Sequence, residues 1–496
     1  MGQPYIITID QGTTGSRVFL INQRGEILGY HYEEFTQYFP RPGWVEHDAM
    51  EIYHGVVKLI GLALEKSGAK PGDAVGIGIT NQRETTVVWE KSTGVPIHPA
   101  IVWQCRRTAP LCEELKQRGL EPQFKEKTGL VLDAYFSGTK IKYILDQVSH
   151  AREKARRGEV LFGTIDSYLL YRLTNGKSHK SDFTNASRTL IFNIHEKKWD
   201  EDLLRILDIP GSMLPQVQES SSLFGYTEKV PHLPDGLPIY SLVGDQQAAL
   251  YGQLCHKAGE LKNTYGTGCF LVMNLGDKPL MSQHGLITTL ACDGWGKPVY
   301  ALEGSVFIAG AVMQWLRDKL RFFERSEESE KMALSVEVED EVVFVPAFAG
   351  LGAPYWEQKA RGAIFGLTRD TTPEQITRAA LKSIALQTGD VIRAMEKDSG
   401  LDIRELKVDG GATANNFLMQ YQAGIIDKKV VRPKNAETTV LGAAYLAGLA
   451  ARFWSSPEEL YPLNPPERVY ESQMSEDVRR REWELWEKAI RRVLLV

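Results

Sequence analysis

The chain begins two of its parts in the same way, with an apolar strand, a tight turn of glycine and threonine, and a returning strand. The first unit runs over residues 5–21 with its turn at 12–15, and the second over 261–273 with its turn at 266–268. Short apolar runs bounded by glycine-rich turns are typical of β-hairpins. Two such units in 496 residues predict an internal structural duplication that divides near 252–259.

Helix signals follow the strands in both parts. In the first, three strands precede a helix that begins after Asp48 and ends at Gly68, and another strand covers 75–79. The second has strand patterns at 287–291, 299–302 and 406–408, and helix patterns at 310–320, from 372, from 415, at 437–451 and at 476–494. The stretch 326–341 is rich in Glu and Ser and predicts a solvated surface segment. We expect an α/β fold with two domains, 1–252 and 253–496, and a ligand site in the cleft between them.

Composition excludes several classes of protein. The net charge of −5 gives no basic excess for gripping nucleic acid, and the cluster Arg152, Lys154, Arg156 and Arg157 is typical of a solvated helix face. No apolar run reaches the ~18 residues of a membrane span. Five cysteines without CxxC spacing argue against disulfides or structural zinc. No signal peptide is recognisable at the first residues, so we expect a cytoplasmic protein that binds neither nucleic acid nor membrane.

The glycine-rich turns have the chemistry of phosphate binding. The segment 10–17, DQGTTGSR, can point backbone N–H groups, hydroxyls and the Arg17 guanidinium toward polyphosphate oxygens, and Asp10 could hold Mg²⁺. It matches neither GxxxxGK[ST] nor GxGxxG. The turn at 264–268 is a further candidate, although an ordinary hairpin explains it alone. The glycine-rich strand-to-helix turn at 409–412 is a third, where glycines let the backbone approach a ligand closely. Several such loops in a duplicated α/β chain indicate a two-domain actin-like (ribonuclease H-like) ATPase with a central interdomain cleft.

Eight motifs carry a resemblance to a known family. They are DQGTTGSR at 10–17, GWVEHD at 43–48, NQRET at 81–85, WQCRRT at 103–108, GDQQ at 244–247, YGTG at 265–268, GLGAPYW at 350–356 and DGG at 409–411. In order and spacing the chain resembles the FGGY carbohydrate kinases from about residue 5 to about residue 450, and in particular the members that phosphorylate glycerol.

The resemblance implies transfer of the γ-phosphoryl group of ATP to glycerol, with Mg²⁺, in a cytoplasmic homo-oligomer (dimer or tetramer). It implies catalytic roles for Asp10, Arg17 and Asp245, and metal contacts for Asp10 and Asp245. The implied acceptor-binding residues are Arg83, Glu84, Trp103, Tyr135, Asp245, Gln246 and Phe270. The implied nucleotide-binding residues are Thr13, Thr14, Gly15, Arg17, Thr267, Gly310, Gln314, Gly411 and Asn415.

The chemistry of these residues agrees with a small polyol acceptor. A site for glycerol has to hydrogen-bond most of its hydroxyls, and we expect two pairs, Arg83 with Glu84 and Asp245 with Gln246, to do this. Aromatic walls exclude water, which would compete as acceptor. Asp245 is the expected general base, with an ordinary pKa near ~4, and we expect the two domains to close on substrate.

Plainer interpretations and other functions stay open from sequence alone. Asp245 could be only a helix cap, Arg83 and Glu84 a surface ion pair, and Tyr135 and Trp103 core residues. A pentulose or pentitol kinase of the same family, or an actin-like or chaperone-like ATPase, are the alternatives.

Two segments depart from the family pattern. Gly15 stands where many relatives carry Ser, which would remove a hydroxyl contact to phosphate but leave a backbone contact. The loop 228–237 has two prolines and no Arg, which makes inhibition by fructose 1,6-bisphosphate at that loop doubtful.

Overall fold

Two mixed β-sheets form the cores of the chain in a computed structural model that describes residues 2–336 and 341–494. The strands are β1 Tyr5–Gln11, β2 Gly15–Asn22, β3 Ile27–Glu34, β4 Glu46–His47, β5 Ala74–Asn81, β6 Val87–Glu90, β7 Ala100–Ile101, β8 Val160–Gly163, β9 Lys180–Asp182, β10 Phe192–Asn193, β11 Lys198–Trp199, β12 Gln216–Gln218, β13 Ser221–Tyr226, β14 Pro238–Gly244, β15 Leu261–Tyr265, β16 Cys269–Gly276, β17 Ile287–Cys292, β18 Pro298–Val306, β19 Val343–Val345, β20 Ala363–Phe365, β21 Glu405–Asp409, β22 Lys429–Pro433 and β23 Pro466–Tyr470.

Helices cover and connect these sheets. They are α1 Ala49–Ser67, α2 Ala109–Gln117, α3 Glu121–Thr128, α4 Ser137–Gln147, α5 Ala151–Arg156, α6 Ile165–Leu173, α7 Phe183–Ala186, α8 Glu201–Leu207, α9 Asp245–Gly252, α10 Gly310–Trp315, α11 Glu328–Leu334, α12 Pro373–Ser399, α13 Asn416–Ile426, α14 Thr438–Ala450 and α15 Glu476–Leu494. A π-helical turn, Leu316–Leu320, extends α10. None of the helices in the described ranges is long and apolar enough to cross a membrane.

The two sheets share the order of the strands around their hairpins. Written in the same direction, the first runs β3-β2-β1-β5-β14-β13, and the second runs β17-β18-β16-β15-β21-β22-β23, with β17 as an additional edge strand. In each, the two strands of the glycine-rich hairpin pair antiparallel, and the first of them also pairs parallel with a later strand, β5 or β21. The common order confirms the predicted α/β class and the actin-like duplication.

The core of the first sheet is completed by a helix from late in the chain. Helix α1 packs on one face, and α14 lies against β1, β5 and β14 on the other. Helices α9 and α14 cross with almost no side chain between them: a Cβ on Gly252 would lie 1.9 Å from the Thr438 carbonyl oxygen, and one on Gly442 would lie 1.9 Å from that of Ala248. The division at 252/253 stays a prediction, but packing links the two parts on both sides of it.

Local signals placed most helix ends correctly. Asp48 accepts hydrogen bonds from the amides of Met50 and Glu51 at the start of α1, and Gly68 ends that helix with a φ of 66°. Thr372 and Gln375 form a capping box at the start of α12. Because these caps satisfy backbone groups locally, they are readable from sequence.

The stretch predicted as a solvated segment is more structured than expected. Within 326–341, α11 buries Ser329 and Ala333, and Glu330 accepts a hydrogen bond from the backbone amide of Asn416. The helix therefore packs on α12 and α13 through small residues that the charged composition hid. Residues 337–340 of the predicted segment lie outside the described ranges.

The basic cluster that was predicted as a solvated helix face lies at the surface around α5. The basic side chains around α5 each pair with a carboxylate, at Asp146 and Asp208 for Arg152, Glu90 for Lys154, Asp208 for Arg156 and Glu159 for Arg157. The five cysteines are all buried and unpaired.

Candidate active site

The first glycine-rich hairpin carries an ion-pair chain. Asp10 at the end of β1 lies opposite Arg17 on β2, and the Arg17 Nε donates to Asp10 Oδ2 at 3.0 Å. Arg17 Nη2 also contacts that oxygen, and Nη1 donates to Glu437 Oε2 at 2.6 Å. Glu437 directly precedes α14. The guanidinium is therefore held at the hairpin base by one carboxylate from each end of the chain.

The hairpin turn itself offers free donors. The Gly12 amide bonds to the Gly15 carbonyl at 3.0 Å, whereas the amides of Thr13 and Thr14 make no hydrogen bond within the described ranges. Backbone N–H groups left open in a tight turn suit phosphate oxygens. A Cβ on Gly15 would lie 2.4 Å from the Tyr32 ring and 2.8 Å from the Glu33 carbonyl oxygen, so the close approach of β3 leaves little room for a side chain here.

The second and third glycine-rich turns lie against each other. The Gly266 amide bonds to the Gly268 carbonyl at 2.9 Å, and the Gly310 amide bonds to the Gly266 carbonyl at 2.9 Å. Gly410, with a φ of 90°, packs its α-carbon on Tyr265, where a Cβ would lie 2.4 Å from the Tyr265 carbonyl oxygen. The predicted nucleotide residues Thr267, Gly310 and Gly411 thus come together at one end of the second sheet.

Two other predicted nucleotide residues have different surroundings. Gln314 is exposed on the second turn of α10. Asn415 caps α13, where its Oδ1 accepts from the Leu418 amide at 2.9 Å and its Nδ2 donates to Ser329 at 3.3 Å. The Asn415 side chain therefore has a structural role already.

A buried charge cluster lies beyond the end of β5. Arg83 donates to both oxygens of Glu303 on β18, at 2.5 Å and 3.0 Å, and its Nε lies 3.2 Å from Asp245 Oδ1. Glu84 pairs with Arg188, whose Nε donates to Glu84 Oε1 at 2.6 Å. The plainer interpretation of Arg83 and Glu84 as a surface ion pair is wrong: both are buried, their side chains diverge, and each pairs with a residue more than 100 positions away.

The backbone of Glu84 is held in an unusual conformation. Its φ is 62°, in the left-handed region that non-glycine residues seldom adopt. Its carbonyl oxygen accepts hydrogen bonds from Ser137 Oγ at 3.0 Å and from Lys140 Nζ at 3.3 Å, and Lys140 also donates to the Tyr135 carbonyl at 2.5 Å. Burial lowers the pKa of Lys140 to about 8, with Glu84 opposing that change. The start of α4 therefore fixes two of the predicted acceptor residues.

Asp245 is the carboxylate of the cluster that stays accessible. Its side chain is 29% exposed, whereas those of Arg83, Glu84, Arg188 and Glu303 are 2% exposed or less. Burial raises its pKa to about 6; Arg83 works against the increase and Glu84 adds to it. The sequence-based expectation of an ordinary pKa is therefore wrong, because the lost hydration of the carboxylate outweighs the nearby guanidinium.

The remaining predicted acceptor residues line the same region. The Trp103 indole donates to Thr13 Oγ1 at 2.9 Å, and its ring packs edge-on against Tyr135 with centroids 5.4 Å apart. Gln246 is held by Lys262, whose Nζ donates to Gln246 Oε1 at 2.5 Å. Phe270 is half-buried opposite Thr264 on the second hairpin. Trp103 thus links the acceptor region directly to the first phosphate hairpin.

Three residues of this region escaped the sequence analysis. Arg188, Glu303 and Lys262 carry no local motif, and they reach the cluster only through the pairing of distant elements. A signal was present in the sequence, since Lys262 and Glu303 are each the single charged residue of a strand. A charge at a position that a strand pattern buries indicates a partner.

The donor set suits a magnesium ion that is shared with nucleotide phosphates. Asp10 is at the end of β1 and Asp245 directly follows β14, and both strands pair with β5. Mg²⁺ in such sites takes one or two carboxylates and completes its shell with phosphate oxygens and water. Within the described residues there is no group of three or more side chains able to hold a metal on their own.

Comparison with known proteins identifies the family. The N-terminal domain model of the FGGY family of carbohydrate kinases matches residues 5–252, and the C-terminal domain model matches 261–451. Glycerol kinase from Leptospira biflexa is 59% identical over 489 residues, covering 99% of this chain and 98% of that protein. Glycerol kinase 2 from Thermotoga maritima is 54% identical over 490 residues, covering 99% of both.

Solved structures show the same architecture. The Plasmodium falciparum glycerol kinase with ADP superposes with a TM-score of 0.93 at 36% identity, covering 99% of this chain and 98% of that one. A xylulose kinase from Lactobacillus acidophilus superposes with a TM-score of 0.88 at 22% identity, which shows the fold alone. By sequence and by fold, the chain belongs to the FGGY family of carbohydrate kinases.

Proposed function

We propose that this kinase transfers the γ-phosphoryl group of ATP to a terminal hydroxyl of glycerol and releases sn-glycerol 3-phosphate and ADP. The observation that carries the proposal is the accessible Asp245 carboxylate beside the Arg83 guanidinium, 3.2 Å away, in a cluster otherwise sealed from water. Full-length relatives that bear the name glycerol kinase, at 54–59% identity, support glycerol as the acceptor.

In this mechanism the acceptor is oriented by charged and polar groups. Arg83, Glu84, Tyr135 and Asp245 hydrogen-bond the hydroxyls, with Gln246 beside them. Trp103 and Phe270 pack on the carbon chain. A site built from such groups rejects an acceptor that lacks a hydroxyl, because a buried polar partner is then left unpaired.

Asp245 accepts the proton of the attacking hydroxyl. The hydroxyl oxygen bonds to the γ-phosphorus, the bond between that phosphorus and the β–γ bridging oxygen breaks, and ADP leaves with the bridging oxygen. In a loose phosphoryl-transfer transition state the proton leaves late, so orientation by Asp245 matters as much as its basicity. Its raised pKa brings the carboxylate closer to a base suited to neutral pH.

The phosphates would bind to the glycine-rich turns. Thr13, Thr14 and Gly15 present amides and hydroxyls, Arg17 adds positive charge, and Thr267, Gly310, Gln314, Gly411 and Asn415 surround the rest of the nucleotide. Mg²⁺, held by Asp10 and Asp245, would neutralise charge on the phosphate oxygens.

The decisive experiment measures ATP consumption with Mg²⁺ against no acceptor, glycerol, dihydroxyacetone, xylulose and ribulose, with products identified by phosphorus NMR. Turnover that depends on glycerol and yields glycerol 3-phosphate supports the proposal. Turnover with a pentulose but not with glycerol would mean that the acceptor is a pentulose. ATP hydrolysis at the same rate with and without every acceptor would favour an actin-like ATPase.

We also propose that the enzyme works in the cytoplasm as a homo-oligomer, a dimer or tetramer, whose domains 1–252 and 253–496 close on substrate. Light scattering coupled to size-exclusion chromatography measures the assembly. Small-angle scattering with glycerol and a nucleotide analogue measures closure, and an unchanged radius of gyration would contradict it.

A further inference from the structure

Glu303 lies where the two halves of the chain meet. It is in the middle of β18 in the second sheet, between Val272 of β16 and Ile287 of β17, and it is fully buried. Both of its carboxylate oxygens accept from Arg83, at 2.5 Å and 3.0 Å, and Oε1 also accepts from Arg188 Nη2 at 3.1 Å. One carboxylate thus pairs with two guanidiniums that come from the first half.

Arg188 extends the same chain of ion pairs to Glu84. Its Nε donates to Glu84 at 2.6 Å, and the guanidinium lies over the rings of Tyr135 and Phe136, at 5.5 Å and 5.2 Å from their centroids. Glu303 therefore reaches Asp245 through Arg83, and it reaches Glu84 through Arg188. Every charged residue proposed to contact the acceptor is connected to this one carboxylate.

The backbone around Arg188 is fixed to both sheets. Asn185 donates to Asn81 Oδ1 at 3.1 Å, next to the turn that carries Arg83. Ser187 Oγ lies 3.0 Å from Thr289 Oγ1 on β17. Arg188 thus has little freedom to follow a displaced Glu84, and its position is set from outside the acceptor pocket.

We propose that Glu303 and Arg188 are positioning residues that set the spacing of the acceptor-binding side chains Arg83 and Glu84. Neither residue is open to the cleft, since each is fully buried, so they act through their partners rather than on the substrate. Although burial alone would raise the pKa of Glu303, Arg188 and Arg83 bring it down to about 2, so the carboxylate keeps its charge at every working pH. This inference rests on the proposed function.

The test is substitution of Glu303 by Gln, which keeps the size of the side chain and removes its charge. Arg83 and Arg188 then face each other across a neutral group, and both lose their common anchor. We expect the KM for glycerol to rise about 10-fold or more, because truncating one partner of a buried charge pair displaces the other. The KM for ATP should stay within about 2-fold, because the nucleotide turns do not contact Glu303.

Two further variants complete the test. Arg188→Lys keeps the charge but lacks the guanidinium fork that spans Glu84 and Glu303, so we expect a smaller rise in the KM for glycerol in the same direction. Glu482→Gln is the matched control: it breaks a remote, partly buried pair with Lys382, 2.7 Å apart, and should leave both KM values unchanged.

The outcomes separate this inference from the proposed function. A wild-type enzyme that does not phosphorylate glycerol overturns the proposed function before any variant is made. A wild-type enzyme that does, together with a folded Glu303→Gln variant whose KM for glycerol is unchanged, overturns the positioning role alone. If Glu303→Gln does not fold, Arg188→Lys decides, and if neither folds, the role is structural and the inference fails.

Discussion

The two glycine-rich hairpins occupy equivalent places in their sheets and yet carry opposite chemistry. In the first, Asp10 lies across from Arg17; in the second, the facing residues are Thr264 and Phe270. The first hairpin thus brings charge to its turn, and the second brings a hydroxyl and an aromatic ring. A duplicated scaffold has been specialised by side chains at matching positions, with the strand order left intact.

The difference extends to the surroundings of each hairpin. Beside the first, Arg83 pairs with Asp245 and Glu84 pairs with Arg188, and Glu303 from the second sheet joins both guanidiniums. Around the second, glycines let backbones touch, as where Gly310 meets Gly266. We call the residues beside the first hairpin the charged side and those beside the second hairpin the glycine-rich side. We infer that the charged side acts by electrostatic contact with the reacting groups. The glycine-rich side acts by leaving room for the nucleotide.

The largest expected effect tests the charged side. Asp245→Asn keeps the shape of the side chain but removes the proton acceptor, so kcat should fall by about 10²–10⁴-fold while the protein stays folded. Steady-state kinetics with glycerol and circular dichroism check this together. Turnover close to that of the wild type would remove Asp245 from the role of base.

A substitution on the glycine-rich side should act by steric overlap. Gly310→Ala would place a Cβ 2.6 Å from the Gly266 carbonyl oxygen and push the second hairpin away from α10. Overpacking costs about 1–3 kcal/mol, so the KM for ATP should rise by roughly 10–100-fold with the glycerol KM little changed. Gly55→Ala is the control, since a Cβ there meets nothing within 4 Å. Equal changes in both KM values would contradict the separation of the two sides.

The pH dependence of the reaction reports how strongly the Asp245 carboxylate is desolvated. A base works only in its deprotonated form, and burial raises the pKa of Asp245 to about 6. The kcat/KM for glycerol should therefore decline as the pH falls through about 6, about tenfold for each further unit. Rates at constant ionic strength, with folding monitored at each pH, give the midpoint. A decline only near pH ~4 would mean that Asp245 is hydrated like a free side chain.

The smallest effect concerns Asn415, which lies at the edge of the glycine-rich side. Asn415→Ala removes the cap of α13 and should cost about 1 kcal/mol of unfolding free energy. Denaturant unfolding measures that loss, and ATP kinetics show whether the nucleotide also contacts the side chain. An unchanged KM for ATP would assign Asn415 to the fold alone.

What could be predicted from sequence follows from how local each signal is. The strands around the two turns, the caps at Asp48 and Gly68, and the motif residues were readable because each depends on neighbours along the chain. The partners of Arg83 and Glu84 were not, since they come from Glu303 and Arg188, and those meet only after both sheets form.

The pKa of Asp245 could not be predicted from the sequence for a related reason. Its type and its motif indicate a base, but the increase to about 6 depends on how much water the folded cluster excludes. The close approach of Tyr32 and Glu33 to Gly15 could not be predicted either, because it depends on the pairing of β2 with β3.

The packing of α14 on the first sheet has a consequence for how the chain is made. Synthesis at about 5–20 residues per second separates α9 from α14 by roughly 10–40 s, during which the sheet face that carries Ile6, Phe19 and Val243 has no cover. We therefore expect the first half to emerge from the ribosome with one face of its sheet exposed, and to fold completely only after α14 has been synthesised. We expect nascent chains stopped before residue 438 to bind holding chaperones, and the complete chain to release them.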